Sequence, residues 1–278
     1  MDINKAIEFA QLVNAAYAIL PGNLVNSAGM AIMANGRAYT VVTTIYAFDL
    51  STDINPDRGN NQVSIGLICQ ADGTGDVAIV IRGTEGILEW VQDGEFNLVP
   101  CPFLAGSGHT EDGFTDIYSF LRTGDADESP RVIDAMATLP FPQPISSLTI
   151  CGHSLGGAIA TLLALDLAAN STFTNPTVYT YASPRAGDPL FVSTYNQVVK
   201  NTFRIANRMD LVPKLPLPPF YEHVLGLNEL NPIQWTPFPP RILVKPNLAC
   251  EHVLDSYLHL LSLKSGGPVL PLDQICVP

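Results

Sequence analysis

The sequence predicts an α/β fold, in which a central, mostly parallel β-sheet carries helices on both faces and residues 1–278 form a single domain. First, short segments rich in β-branched residues alternate with helical segments, as they do in sheets of this kind. Second, several of these segments are almost continuously apolar, which is typical of strands buried on both faces. Third, 47 % of the residues are hydrophobic and 14 % are charged, so the chain has material for a large core.

The first elements are a helix and a β-hairpin. Apolar residues recur at helical spacing in residues 1–20, from Ile3 to Tyr17. Alternation and β-branched content predict strands at 38–48 and 64–70. The turn sequence DGTGD then leads into 77–83, VAIVIRG, which has the composition of a buried central strand.

The later strands share the same apolar pattern and are separated by helical segments. The predicted strands are 148–151, 177–182 and 202–206, and the predicted helices are 113–123, 129–138, 155–169, 188–199 and 251–264. Asp188 precedes Pro189, and we therefore expect Asp188 to cap the helix that begins there.

Two long segments interrupt this alternation. Residues 84–109 contain many large apolar side chains but no clear strand or long helix, and residues 212–246 hold nine prolines, many beside apolar residues. Loops of this length inside a compact domain are usually functional. We expect both segments to border an apolar site.

Net charge limits the classes of partner. The chain carries a formal charge of −12, which disfavours binding to nucleic acids and to anionic membranes. No apolar run reaches the roughly 18 residues that a spanning helix needs, and the N-terminus lacks the pattern of a signal peptide. We expect a soluble monomer, either intracellular or secreted with this sequence as its mature form.

Cysteines and acidic residues give little support to a metal site. The five cysteines include no CxxC pair; Cys151 lies in an apolar segment and is expected to be an inert core thiol, whereas a bond between Cys250 and Cys276 is left open. The segment DINPDRG at 53–59 resembles a calcium loop, but its glycine comes one place late and no acid occupies the twelfth position. We predict no metal and no cofactor.

The segment CGHSLGG contains the first candidate for chemistry. Residues 152–156 fit the pattern G-x-S-x-G, and the pattern follows a predicted strand and opens a predicted helix. In this setting the serine lies in a strained turn that exposes its hydroxyl to a substrate. Ser154 is therefore predicted to be a nucleophile, the alternative being an ordinary strand–helix turn.

A serine nucleophile needs a base and an acid that orients the base. In sheets of this type the order along the chain is serine, acid, histidine. Asp210 follows the predicted strand 202–206, and its alternative role is that of a turn or cap residue. His252, at the start of the last helix, is the predicted base, and His223 and His259 remain alternatives.

Acyl transfer also needs N–H donors for the oxyanion. The amide of Leu155, directly after the nucleophile, is the first candidate. The amide of Thr84, at the end of the strand 77–83, is the second, although Gly83 and Thr84 could instead form a simple turn.

The segments IRGTEG, DGFTDIY, CGHSLGGAIA, YASPRAGDP, NRMDLVPKLP and HVLDSYL together resemble the class 3 lipases, the fungal triacylglycerol lipase family with the α/β-hydrolase fold. The resemblance runs from about residue 77 to 261. It implies a triad of Ser154, Asp210 and His252, with Tyr257 downstream, and it assigns the oxyanion donors to Thr84 and Leu155. It also implies a lid within about 85–104.

The function expected from these features is that of a serine carboxylic ester hydrolase that cleaves acylglycerols at a lipid–water interface. The predicted lid and acyl-binding residues are Trp90, Phe96, Leu98, Phe103, Leu215 and Phe220. Three alternatives remain: an esterase for soluble substrates that resembles a feruloyl esterase, a phospholipase or polyester hydrolase, and a non-catalytic protein that binds apolar ligands.

Overall fold

A computed structural model describes residues 1–20, 25–48, 62–84, 96–124, 128–234 and 241–278. Its main sheet has eight strands in the order β1-β2-β3-β4-β7-β8-β9-β10. These strands are β1 (Ala31–Ala34), β2 (Arg37–Phe48), β3 (Gln62–Ala71), β4 (Asp76–Ile81), β7 (Ser147–His153), β8 (Thr177–Tyr181), β9 (Asn201–Asn207) and β10 (Leu227–Leu230). Two small antiparallel pairs join β5 (Leu98–Pro100) to β6 (His109–Glu111) and β11 (Ile233–Gln234) to β12 (Arg241–Ile242).

The half of the sheet that leads to the candidate site is parallel. Strands β4, β7, β8, β9 and β10 all run in the same direction, whereas β1 to β4 are antiparallel neighbours. The carboxyl ends of β4, β7 and β9 therefore lie along one edge of the sheet, where open α/β sheets bind their ligands.

Helices cover both faces of the sheet, as the sequence predicts. They are α1 (Ile3–Ile19), α2 (Asp112–Ser119), α3 (Val132–Ala135), α4 (Leu155–Asn170), α5 (Pro189–Val198), α6 (Leu248–His252) and α7 (Leu254–Ser265). Helices α1 and α7 pack with one face of the sheet in a first hydrophobic cluster. Helix α4 packs in a second hydrophobic cluster with the opposite face of the sheet. No helix among the described residues is long and apolar enough to span a bilayer.

Several boundaries differ from the sequence prediction. Helix α2 ends at Ser119 rather than near 123, because Arg122 exchanges two backbone hydrogen bonds with Tyr46 of β2. The predicted helix 129–138 is shorter in the structure, where α3 covers only Val132–Ala135 and turns follow it up to Pro140. Proline disfavours the helical conformation of the residue before it, here Leu139, so the helix cannot extend to Pro140.

Short strands also occur where loops are predicted. Strands β5 and β6 lie within or at the edge of the segment 84–109, and β10, β11 and β12 lie within 212–246. The segment 53–59, which resembles a calcium loop only in part, lies outside the described residues.

Candidate active site

Ser154 occupies a strained turn between β7 and α4. Its backbone has φ 57° and ψ −128°, a conformation that costs a non-glycine residue about 1–3 kcal/mol. Glycines on either side make this turn possible: a Cβ on Gly152 would lie 2.1 Å from the carbonyl oxygen of Gly156, and a Cβ on Gly156 would lie 2.4 Å from that of Ile81. The pattern G-x-S-x-G therefore lets α4 approach the sheet closely enough to present the serine hydroxyl.

The structure brings Ser154, His252 and Asp210 together in one hydrogen-bonded chain. His252 Nε2 lies 2.8 Å from Ser154 Oγ, and His252 Nδ1 lies 2.9 Å from Asp210 Oδ2. The three residues are 1 %, 6 % and 0 % exposed, in the order serine, histidine, aspartate. With Nδ1–H donating to the carboxylate, Nε2 is left to accept the serine proton, which is the geometry of a serine nucleophile with its base.

Asp210 is fixed by further donors. Its Oδ1 accepts the amide N–H of Val212 at 3.0 Å, and its Oδ2 accepts the hydroxyl of Tyr257 at 2.7 Å. The Tyr257 oxygen in turn accepts the amide N–H of Asn207 at 3.0 Å. Burial, followed by the negative charge of Asp210, raises the pKa of Tyr257 well above its usual value, so the phenol stays protonated and remains a donor.

The predicted base, His252, lies at the end of a short helix. Helix α6 ends at His252, because Val253 adopts an extended conformation with ψ 144°, and the predicted single helix 251–264 is thereby split in two. Asn247 caps α6 through a 2.8 Å hydrogen bond from the amide of Cys250. Cys250 forms a disulfide with Cys276, which resolves the pairing that the sequence leaves open.

The alternative histidines bind backbone carbonyls instead. His223 Nε2 donates to the carbonyl oxygen of Pro213, and His259 Nδ1 donates to that of Leu270. His109, in contrast, contacts the carboxylate of Asp188, which also caps α5 as predicted.

A chain of hydrogen bonds through the partly buried Tyr17 and the buried His153 has no counterpart in the sequence predictions. The Gly83 amide donates to the Tyr17 hydroxyl at 2.7 Å, Tyr17 bonds to His153 Nδ1 at 2.8 Å, and His153 Nε2 donates to the carbonyl oxygen of His252 at 2.9 Å. Burial, and then the neighbouring His252, lower the pKa of His153 to about 3, so this ring is neutral and Nδ1 accepts the Tyr17 proton. No signal in the sequence links Tyr17 to His153, because 136 positions separate them.

The two predicted oxyanion donors, Leu155 and Thr84, are each next to a residue that contacts or forms the serine turn. Leu155 is the first residue of α4, where amide N–H groups have no partner within the helix. Thr84 follows Gly83, whose Cα approaches so closely that an added Cβ would lie 3.0 Å from the Ser154 Cβ. Arg82 holds this loop by donating to the carbonyl oxygens of Gly83, at 2.8 Å, and Ser64, at 3.2 Å.

The predicted lid lies mostly outside the described residues, which resume at Phe96; Trp90 is among the residues not described. Phe96 and Leu98 are half-buried, and Leu98 pairs with Glu111 across β5 and β6. Their roles in covering the site or binding an acyl chain stay predictions.

The remaining predicted acyl-binding residues have different surroundings. Leu215 is half-buried and Phe220 is exposed. Phe103 instead packs edge-on against Tyr118, with ring centroids 5.2 Å apart, and joins the hydrophobic cluster around α4. The described contacts give Phe103 a packing role, and its assignment to the acyl site, like those of Leu215 and Phe220, stays a prediction.

The carboxylate and histidine arrangement gives no sign of a metal centre. Among the residues that the structure describes, no group of three or more histidine, cysteine, aspartate or glutamate side chains could hold a metal ion.

Comparison with known proteins identifies the family. The family described as lipase (class 3) matches residues 78–220, just over half of the chain, including Ser154 and Asp210. This chain belongs to the class 3 lipase family. The match begins after Tyr17 and ends before His252 and Tyr257, so these three residues of the site geometry lie outside the matched range.

Relatives of this class 3 lipase differ in their named activities. It is 32 % identical to phospholipase A1-IIgamma of Arabidopsis thaliana over 212 residues, which are 67 % of this chain and 48 % of that protein. It is 34 % identical to a lipase of Rhizomucor miehei over 157 residues, which are 54 % and 40 % of the two chains. The chain spans about half the length of the curated relatives that it matches.

Solved structures of fungal lipases share the fold. A mono- and diacylglycerol lipase from Aspergillus oryzae has a TM-score of 0.63 at 23 % identity, over 81 % of this chain and 78 % of the other. Another solved structure, from a family of fungal lipases with an unusual buried polar cluster, has a TM-score of 0.61 at 26 % identity. The alignment covers 82 % of this chain and 79 % of that one. This chain therefore has the α/β-hydrolase fold predicted from its sequence.

Proposed function

We propose that this chain is a serine ester hydrolase that cleaves the fatty acyl esters of glycerol, with triacylglycerols among its substrates. The observation that carries the proposal is the chain of hydrogen bonds from Ser154 Oγ through the His252 imidazole to the buried Asp210 carboxylate. The class 3 lipase family supports the same reaction class.

The reaction follows from the geometry in two halves. Ser154 Oγ attacks the ester carbonyl carbon while His252 Nε2 takes the hydroxyl proton, and Asp210 stabilises the imidazolium that forms. The tetrahedral intermediate collapses when His252 returns the proton to the departing alcohol. A water molecule, deprotonated by the same nitrogen, then attacks the acyl-enzyme and releases the fatty acid.

The developing oxyanion needs donors that are already in place. The amides of Thr84 and Leu155 fill this role in our proposal, and each such donor is typically worth about 3 kcal/mol of barrier. Their positions depend on Gly83 and on the start of α4, both of which contact the serine turn.

The preference for acylglycerols rests on the surroundings of the site. The segment after Asp210 exposes large apolar side chains, which favours a substrate delivered from a lipid phase over a polar soluble ester. The net charge of −12 favours uncharged lipids over anionic ones.

Phospholipase A1 activity is a second candidate. Similarity to relatives with that name covers 67 % to 73 % of this chain, more than the 54 % covered by the Rhizomucor miehei lipase. A phospholipid with no net charge, such as phosphatidylcholine, is compatible with the charge of the protein.

The test compares purified protein with its Ser154→Ala variant on p-nitrophenyl esters from acetyl to palmitoyl, on triolein emulsion and on phosphatidylcholine. Ser183→Ala is the matched control, because Ser183 is also buried but donates to the carbonyl of Pro184. We expect Ser154→Ala alone to abolish hydrolysis and covalent labelling by a fluorophosphonate. Release of fatty acid from triolein supports the first candidate, and release only from the sn-1 position of phosphatidylcholine supports the second.

A protein with no Ser154-dependent hydrolysis of any ester would refute both candidates. It would leave the non-catalytic alternative, in which the same fold binds an apolar ligand. Hydrolysis confined to acetyl and butyryl esters would support the soluble-substrate esterase instead.

We also propose that the protein is secreted and monomeric. The disulfide between Cys250 and Cys276 supports an oxidising compartment, and a relative that is 31 % identical is named a secreted mono- and diacylglycerol lipase, from Penicillium cyclopium. Thiol counting on protein purified without reductant tests the first point: three free thiols are expected from Cys69, Cys101 and Cys151. Sedimentation analysis tests the second.

A further inference from the structure

Residues 211–220, which we name the proline loop, begin directly after Asp210 and expose an unusual amount of apolar surface. Leu211 is 46 % exposed, Leu217 is 65 % exposed and Phe220 is 72 % exposed. Isolated apolar side chains are common on protein surfaces, but large ones concentrated on one short segment mark an interaction site. Because Asp210 immediately precedes it, this segment adjoins the candidate active site.

The loop cannot turn these side chains inward, because other residues already fill its inner side. Val212, Pro213 and Pro216 are buried beneath it. Its backbone is held by Arg185, whose amide donates to the carbonyl oxygen of Leu215 at 2.8 Å and whose guanidinium donates to that of Pro216 at 2.7 Å.

A second contact fixes the start of the loop. His223 donates to the carbonyl oxygen of Pro213, and burial together with nearby Arg204 and Arg185 lowers the pKa of His223 to about 3. The imidazole is therefore neutral at ordinary pH, with its proton on Nε2 facing this carbonyl oxygen. The apolar side chains are presented on a backbone that is already ordered, so binding a partner incurs little additional ordering cost.

The charge of the segment selects the kind of partner. Lys214 is the one charged residue in 211–220, while the whole chain carries −12. An apolar segment on an acidic protein fits a surface that is itself apolar and uncharged, and it is repelled by an anionic one. An exposed side chain such as phenylalanine gains free energy when it leaves water for the hydrocarbon edge of a lipid layer.

We propose that the proline loop is a fixed lipid-docking surface, in which Leu217 and Phe220 enter the outer layer of an uncharged or zwitterionic lipid aggregate beside the active site. The proposal rests on the proposed function, since it supplies the lipid from which the ester is drawn. It requires no movement of the predicted lid.

The experiment measures binding in a Ser154→Ala background, so that the lipid is not consumed. Phosphatidylcholine vesicles are floated with the parent protein and with its Leu217→Ser/Phe220→Ser variant. The matched control is Met30→Ser/Met33→Ser, because these methionines are 44 % and 66 % exposed and lie at or beside β1, at the opposite edge of the sheet. All four residues are exposed, so we expect neither pair of substitutions to impair folding, and a thermal melt of each variant checks this.

We expect the loop variant to lower the vesicle partition coefficient at least tenfold, and the control to leave it within about twofold. An environment-sensitive dye on Leu217→Cys should brighten with vesicles, whereas the same dye on Met33→Cys should not. Binding to phosphatidylcholine should exceed binding to phosphatidylglycerol at low salt.

Four outcomes would overturn the docking surface. Three of them concern vesicles: unchanged binding of the loop variant, an equal loss of binding in the methionine control, and tighter binding to anionic vesicles. The fourth is a parent protein that is dimeric while the loop variant is monomeric, because a second copy of the chain would then occupy the loop. Loop-dependent vesicle binding, together with a wild-type protein that hydrolyses no ester, would refute the proposed function and leave the docking surface supported. Ester hydrolysis without loop-dependent binding would do the reverse.

Discussion

Replacing Tyr257 with phenylalanine isolates one hydroxyl that supports the acid of the triad. The hydroxyl donates to Asp210 Oδ2 at 2.7 Å and accepts the Asn207 amide at 3.0 Å, and the residue is fully buried. The substitution removes a single oxygen and leaves the ring in place, so it changes hydrogen bonding far more than packing.

The expected cost follows from the two bonds that are lost. A hydrogen bond to a charged group contributes about 1.5–3 kcal/mol, and a buried amide left without a partner costs at least about 1 kcal/mol. Tyr257→Phe should therefore lower the free energy of unfolding by about 3 kcal/mol. Because Asp210 loses a group that fixes its carboxylate, we also expect kcat to fall about tenfold, which corresponds to about 1.4 kcal/mol of barrier, with KM nearly unchanged.

The assay pairs urea unfolding with steady-state hydrolysis of p-nitrophenyl butyrate. Tyr181→Phe is the control, since Tyr181 is also fully buried and its hydroxyl donates to the backbone carbonyl of Ala6, on α1. We expect the control to lose about 1 kcal/mol of stability and to keep its kcat. Equal losses of stability and of kcat in the two variants would show that the Tyr257 hydroxyl has no special role at Asp210.

Three further predictions concern the buried histidine, the serine turn and the disulfide. The pKa of His153 is about 3 in the folded protein and 6.5 in the unfolded chain, so the unfolded chain takes up the proton first as the pH falls. The contribution of His153 to the free energy of unfolding is therefore complete above pH 6.5. It is lost toward pH 3, by up to about 1.4 kcal/mol per pH unit. Urea titrations from pH 7 to 4.5 should show a shallower decline for His153→Gln, and equal slopes would contradict the burial argument. Gly156→Ala should abolish hydrolysis by forcing its Cβ to within 2.4 Å of a backbone oxygen, whereas Gly267→Ala, which meets a serine Oγ at 3.3 Å, should retain it. Replacing Cys250 and Cys276 by serine should lower the free energy of unfolding by about 3.5 kcal/mol for a 26-residue separation, and a loss under about 1 kcal/mol in thermal or urea unfolding would contradict this.

The parallel half of the sheet can be predicted from the sequence because its strands need apolar residues on both faces. The segment VAIVIRG at 77–83 corresponds to β4, and LTIC at 148–151 lies within β7. Helix ends are harder to predict where tertiary contacts decide them. Helix α2 stops at Ser119 because Arg122 pairs with Tyr46, a contact across 76 positions that periodicity within one segment cannot reveal.

The triad can be proposed from its order along the chain and from local signals at each residue. Ser154 is recognised by the two glycines of the pattern G-x-S-x-G, and Asp210 by its position after a predicted strand. His252 is distinguished from His223 and His259 only by the resemblance and by its place at a helix start. The chain from Gly83 through Tyr17 to His153 escapes prediction, because Tyr17 has the pattern of an ordinary apolar position on an amphipathic helix.

The hydrogen-bonded chain through Tyr17 and His153 has a consequence for how the molecule can be divided. It joins the first helix, the loop after β4, the serine turn and the backbone of His252, so the Thr84 loop and the proposed base share supports from distant parts of the polypeptide. The residues that match the family, 78–220, include Ser154 and Asp210 but neither Tyr17 nor His252. A fragment cut to those residues would keep the most recognisable motif and lose the proposed base together with the helix that supports it.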